Sequence, residues 1–191
     1  MRTFIYMFSV ICATQLLTSC QEYTVNEYCN YSARLVYRGD VTPLQPLNDA
    51  IAGENTFAIV YMSKQLDKTY DLTAQLYGQT AQTRTVAIGS SVLPTMGLDN
   101  SKGFIVGRST MRSDNPFVFD RVCPNCYKEY RDTKYVLKFT DNETVVRCDA
   151  CKRSYSLLYG GLVTAGENGD KLFRYRVTAY TPNPPILTVF Q

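Results

Sequence analysis

Lys134-Tyr135-Val136-Leu137-Lys138-Phe139-Thr140 is the stretch on which the fold class turns. Tyr135, Leu137 and Phe139 share one parity, and Lys134, Lys138 and Thr140 share the other. That is the period-two pattern of a strand buried on one face. The pattern returns at 172–180, where Phe173, Tyr175, Val177 and Ala179 are expected to face inward and Arg174, Arg176 and Thr178 outward. Around these two runs lie further short apolar segments: 34–37, 56–62, 70–77, 83–88, 103–108, 117–119, 144–147, 154–158, 162–165 and 186–190. Turn clusters separate them, among them Asp99-Asn100-Ser101-Lys102-Gly103, Gly160-Gly161 and Pro182-Asn183-Pro184-Pro185. Past the first twenty residues no stretch has the period of a long amphipathic helix. A single helical turn is expected near 47–52. The expected fold class is therefore all-β, with antiparallel strands.

Composition narrows the function. The chain has 191 residues, 45% of them apolar and 19% charged, which suits one folded domain and excludes a disordered polyampholyte. The net charge of +3 is too small and too dispersed for a protein that lives on nucleic acid. There is no histidine, so no Ser-His-Asp triad, Cys-His dyad or His-ligated catalytic zinc can be built. Nor is there a carboxylate pair at a telling spacing, a nucleophile elbow or a phosphate loop, so nothing in the sequence argues for an enzyme.

Seven cysteines carry most of the remaining information. Cys123-Pro124-Asn125-Cys126 is followed, after 21 residues, by Cys148-Asp149-Ala150-Cys151. A C-x-x-C turn points two sulfurs into one small volume, and two such turns supply a tetrahedron. Segments 134–140 and 144–146, joined by Asp141-Asn142-Glu143, read as a hairpin that presents the second knuckle beside the first. Between 121 and 153 the eight basic side chains exceed the five acidic ones, a balance that favours the thiolate form. Cys123, Cys126, Cys148 and Cys151 are thus the expected metal ligands. Zinc is the default, and iron or a two-iron cluster held by four cysteines is the alternative. Two disulfides, one within each knuckle, are the other outcome open to these residues in an oxidising compartment. A catalytic thiol-disulfide site would need a C-x-x-C that opens a helix, and neither knuckle is expected to precede one. Cys29 is left over as an unpaired thiol.

The N-terminus has its own pattern. Met1-Arg2-Thr3 is a short positive start, residues 4–17 are mostly apolar, and Leu17-Thr18-Ser19-Cys20 follows. This resembles a bacterial lipoprotein signal: a large aliphatic residue, two small ones, then cysteine. The resemblance implies a signal peptide at 1–19, lipidation at Cys20, and a protein held to a membrane by acyl chains rather than by a spanning helix. Gln21-Glu22 stands where an inner-membrane lipoprotein often has Asp, so the expected location is the cell envelope, at the outer membrane. Residues 20–55 are expected as anchor and tether with an early strand, and 56–191 as a single β domain. The membrane is the one partner the sequence points to, and no protein partner is legible.

From Gly103 onward the chain resembles the Rieske family. The residues that carry the resemblance are Gly103-Phe104-Ile105-Val106, then Phe117-Val118-Phe119-Asp120-Arg121-Val122-Cys123-Pro124, then Val145-Val146-Arg147-Cys148-Asp149-Ala150-Cys151 with Ser154-Tyr155-Ser156-Leu157. Gly160-Gly161-Leu162-Val163, Leu172-Phe173-Arg174-Tyr175-Arg176-Val177 and Ile186-Leu187-Thr188-Val189 follow in the family's order. The resemblance implies small stacked antiparallel sheets with two ligand loops at one tip. It departs from the family at the ligands: Cys126 lies one residue later than the family's first His, and Cys151 stands in place of the second. With no histidine a standard Rieske cluster is excluded. The site is similar to a zinc-ribbon version of that domain, serving as a structural or binding module, with electron transfer through iron as the alternative. The proline loop that shields the cluster in many members is also absent at 166–170.

Overall fold

A computed structural model describes residues 27–64, 68–88, 94–111, 115–140 and 142–191. The expected signal peptide and Cys20 lie outside these residues. The fold is all-β, with thirteen strands and two short helices among the described residues. In chain order they are β1 (Arg34–Arg38), α1 (Gln45–Ala52), β2 (Phe57–Lys64), β3 (Thr69–Leu76), β4 (Gln82–Ala87), β5 (Phe104–Gly107), β6 (Phe117–Asp120), α2 (Pro124–Tyr130), β7 (Leu137–Phe139), β8 (Val145–Cys148), β9 (Ser154–Ser156), β10 (Leu162–Ala165), β11 (Arg174–Tyr175), β12 (Val177–Pro182) and β13 (Pro185–Phe190).

Three antiparallel sheets result. One has the order β1-β13-β12, one β10-β9-β8-β7, and the largest β11-β6-β5-β2-β3-β4. The six-stranded sheet is the middle layer and is larger than the small sheets the sequence suggested, because β2, β3 and β4 come from the region before Gly103. Its central strands are buried on both faces, as their near-continuous apolar sequence requires. Ala58, Val60, Met62, Phe104, Val106 and Val118 point into a first core, shared with α1 and the three-stranded sheet. Phe57, Ile59, Ile105, Phe117 and Phe119 point the other way, into a second core shared with Leu137, Val146, Tyr155 and three of the cysteines. Each fully buried Phe or Ile contributes about 2 kcal/mol by leaving water, so both faces of the sheet add to its stability.

The core begins earlier in the chain than residue 56. Ala33, Leu35 and Tyr37 are buried, β1 pairs with β13 along five residues, and α1 buries Leu47, Ala50 and Ile51. The helical turn expected at 47–52 is thus part of the packing, with Pro46 at its start.

The 172–180 run is divided where the sequence reads as one strand. Arg174 and Tyr175 pair with β6, whereas Val177–Pro182 pairs with β13 across a register shift between Val177 and Ala179. The shift turns Ala179 out to solvent. Arg174 does not face water as alternation predicts: its side chain is 12% exposed, ion-paired with Glu27 and stacked over Phe117. A bulge inserts one residue and so swaps the face of everything after it, which periodicity alone cannot register.

Candidate metal centre

Four cysteines converge at one end of the second core. β6 ends at Asp120, and Val122 makes a single bridge to Val136, which places Cys123 beside the start of the β7–β8 hairpin. β7 and β8 pair in the expected hairpin, with Leu137 opposite Cys148. The four sulfurs all lie within 4.8 Å of one another. Cys123 Sγ is 3.7 Å from Cys151 Sγ, and Cys126 Sγ is 3.6 Å from Cys148 Sγ. The edge of a tetrahedron with 2.3 Å metal–sulfur bonds is about 3.8 Å, so these separations fit one ion at the centre. None of the four is in a disulfide, and contacts at these two distances link one knuckle to the other.

The first knuckle corrects one expectation. Cys123 is the N-cap of α2, so this C-x-x-C does open a helix, although one of only seven residues. Pro124 at its first position pre-sets the backbone, and seven residues are too few to show a helical period. The geometry is nonetheless unlike a two-cysteine thiol-disulfide site, because four sulfurs share one small volume. The Cys123 thiol is pushed up, first by donating a hydrogen bond to Cys148 and then by burial, whereas a redox nucleophile at a helix start is lowered.

Charge is distributed unevenly over the cluster. Cys148 is held down to about 5, chiefly by the hydrogen bond from Cys123 and also by the backbone N–H groups of Cys151 and Ala150. Cys126 is pushed up to about 12, mainly by burial. The backbone N–H of Cys126 donates to Cys123. Backbone donors aimed at sulfur favour thiolate at each knuckle, as a metal requires. Outside the cysteines, Tyr155 lies with its hydroxyl 3.4 Å from Cys123 Sγ and accepts a hydrogen bond from Asn125 Nδ2 at 2.9 Å. The Arg153 side chain hydrogen-bonds to Cys151.

A loop closes over this end. Asn125 Nδ2 donates to the Asp170 carbonyl, and the Asp170 N–H returns a bond to Asn125 Oδ1, each at 3.0 Å. Arg153 Nε donates to the Glu167 carbonyl at 3.0 Å, and Lys128 pairs with Asp170 at 2.6 Å. Gly169 suits this approach, because a Cβ there would sit 2.4 Å from Asn125 Oδ1 and force that side chain to shift. The 166–170 loop thus packs on residues beside the cysteines, Asn125, Lys128 and Arg153, through polar clamps and without a proline. Asn125, Arg153 and Tyr155 were not legible as site residues. Their one signal is adjacency to the knuckles.

Two further titratable groups are withdrawn from water. Asp120 is fully buried and accepts from the Leu98 and Val122 N–H groups and the Tyr175 hydroxyl. Burial pushes its carboxyl up to about 6. Cys29 is a free, half-buried thiol packed against the first core, with the Gln191 amide 3.8 Å away. Burial raises it, so it is not an activated nucleophile. No helix among the described residues is long and apolar enough to cross a membrane.

No protein family model, no curated protein and no solved structure matches the chain. What the site is must therefore come from its own geometry.

Proposed function

We propose that this chain is an envelope lipoprotein whose β domain uses one zinc ion, held by Cys123, Cys126, Cys148 and Cys151, as a structural tie, and that it serves as a binding or structural module. The observation that carries the reading is the convergence of four cysteine sulfurs within 4.8 Å of one another. Its compactness favours a single ion. A two-iron cluster would divide the sulfurs between two metals and hold the pairs farther apart than the edge of one tetrahedron. Zinc suits four thiolates and needs no redox partner. When bound, it would supply four bonds between α2, the β8 end and the second knuckle. A four-thiolate shell leaves no position for water, which argues against catalysis at the ion. Arg153 and the backbone N–H donors offset the −2 charge of such a site, and Tyr155 holds Cys123 in place.

The anchor belongs to the same reading. It is supported by the Leu17-Thr18-Ser19-Cys20 box behind an apolar run, with attachment at Cys20 and the outer membrane as the site. The order of motifs after Gly103 supports placing the domain beside the Rieske family as a four-cysteine variant.

Elemental analysis of protein purified without chelator tests the metal: about one zinc per chain is expected, and any single Cys→Ala change should lower occupancy sharply. Iron with visible absorbance would transfer the site to electron transport. Two disulfides in freshly purified, unreduced protein would overturn the metal reading. For the anchor, Cys20→Ser should abolish acylation, and full membrane partitioning of a mutant processed at the same position would refute it.

A further inference from the structure

The outward face of the four-stranded sheet carries an arrangement the sulfur site does not use. Lys138 stands directly opposite Arg147, and Arg147 opposite Ser154, in register across β7, β8 and β9. Their neighbours Leu137, Val146, Cys148 and Tyr155 are buried on the inner face, so these three project outward. Two cations placed directly opposite in an antiparallel pair repel and cost the sheet stability. A single carboxylate answers them. Asp149 takes the Lys138 ammonium at 2.6 Å and also feels Lys152 and Arg147. Three cations thus surround one anion. The Arg147 guanidinium and the Ser154 hydroxyl have no hydrogen-bond partner among the described residues. Between these side chains lies a cleft of about 450 Å³, also lined by Thr140 and Thr164. The Thr140 and Thr164 hydroxyls are already donated, to the Val145 and Ser154 carbonyls, so the free donors facing the cleft are Arg147 and Ser154.

We propose that this cleft binds a small ligand through an oxyanion, a phosphate ester or a carboxylate, with Arg147 and Lys138 as the charge contacts and Ser154 donating its hydroxyl. An oxyanion there gives the unpartnered Arg147 guanidinium a charge-assisted hydrogen bond and shares the Lys138 ammonium with Asp149, which relieves the cross-strand repulsion. The planar fork of Arg147 suits either a phosphoryl or a carboxylate group. The cleft is large enough for a sugar-sized ligand and lies within the usual range of small-molecule sites.

The test is amide NMR of the full, metal-loaded chain titrated with inorganic phosphate and, separately, with galacturonate, at constant ionic strength. Saturable shifts centred on Lys138, Arg147 and Ser154 are expected with at least one of them. Phosphate alone would assign a phosphoryl ligand, and galacturonate a carboxylate. Arg147→Gln should weaken that binding about tenfold or more, the loss of one charged hydrogen bond, with metal content unchanged. Arg34→Gln, on the exposed face of β1, should leave it unchanged. Arg147→Gln removes the like-charge pair, so without ligand the variant should melt no lower than the parent. Absence of saturation below about 10 mM with both probes would overturn the proposal. So would binding that Arg147→Gln leaves intact.

Discussion

Metal binding to the folded apoprotein should release fewer protons than the four thiols of the site would suggest. Cys148 is already a thiolate near neutral pH, held at about 5 by the Cys123 thiol and two backbone N–H groups. Cys123 and Cys126 are pushed above the ordinary thiol range and must each lose a proton when a metal binds. Two protons are therefore the minimum and three the maximum, since one of the four cysteines contributes none. Affinity rises with pH, because the metal competes with protons for sulfur. A release of about two to three protons means a gain of roughly 100- to 1,000-fold per pH unit near neutrality, or about 3–4 kcal/mol, by proton linkage. Calorimetric titration of zinc into chelator-stripped protein, in buffers of different ionisation enthalpy at one pH, counts the protons directly. Competition with a coloured chelator across pH gives the slope independently. Four protons per ion would mean that no thiolate is preformed, and the account of Cys148 would fail. Near-zero release would mean the sulfurs do not take up the metal at all.

Three further outcomes follow from the packing. Chelation should raise hydrogen exchange across 121–153, while β2 and β3, buried against the first core, stay protected; loss of protection in both would mean that the metal holds the whole domain. The buried Asp120 carboxyl, raised from 3.8 to about 6, makes its contribution to stability greatest below pH 3.8 and removes it as pH rises through 6, by about 3 kcal/mol. In urea denaturation of metal-free protein, Asp120→Asn should flatten that part of the pH profile while lowering stability at pH 4, because one acceptor is lost; an unchanged profile would rule out the raised carboxyl. Gly103 has φ +74° and a Cβ there would lie 2.0 Å from the Val60 carbonyl, so Gly103→Ala should destabilise by about 3 kcal/mol or more in the same assay, and a shift below about 1 kcal/mol would contradict the close approach of β5's entry to β2.

Strand content and the sulfur site were legible in the chain for a simple reason. Alternation, as in Tyr135-Val136-Leu137-Lys138-Phe139, reports that one face of a segment is buried, and C-x-x-C spacing reports that two sulfurs share a turn. Both are local facts, set within a few residues. The hairpin from Leu137 to Cys148 was equally local, and it formed as read. What tertiary structure alone decided was the identity of the neighbours. The six-stranded sheet could not be read from its strands, because a run such as Phe57-Ala58-Ile59-Val60 does not say that two separate cores will claim its alternate faces. The division of 172–180 between two sheets depended on a bulge set by pairing with β13, and it reversed the facing of Ala179. The clamps that Asn125 and Arg153 make to the 166–170 loop join residues more than ten apart in the chain, which no local pattern reports. The opposition of Lys138 and Arg147 likewise exists only in register, since a slip of one residue would place each beside a different partner and on the other face.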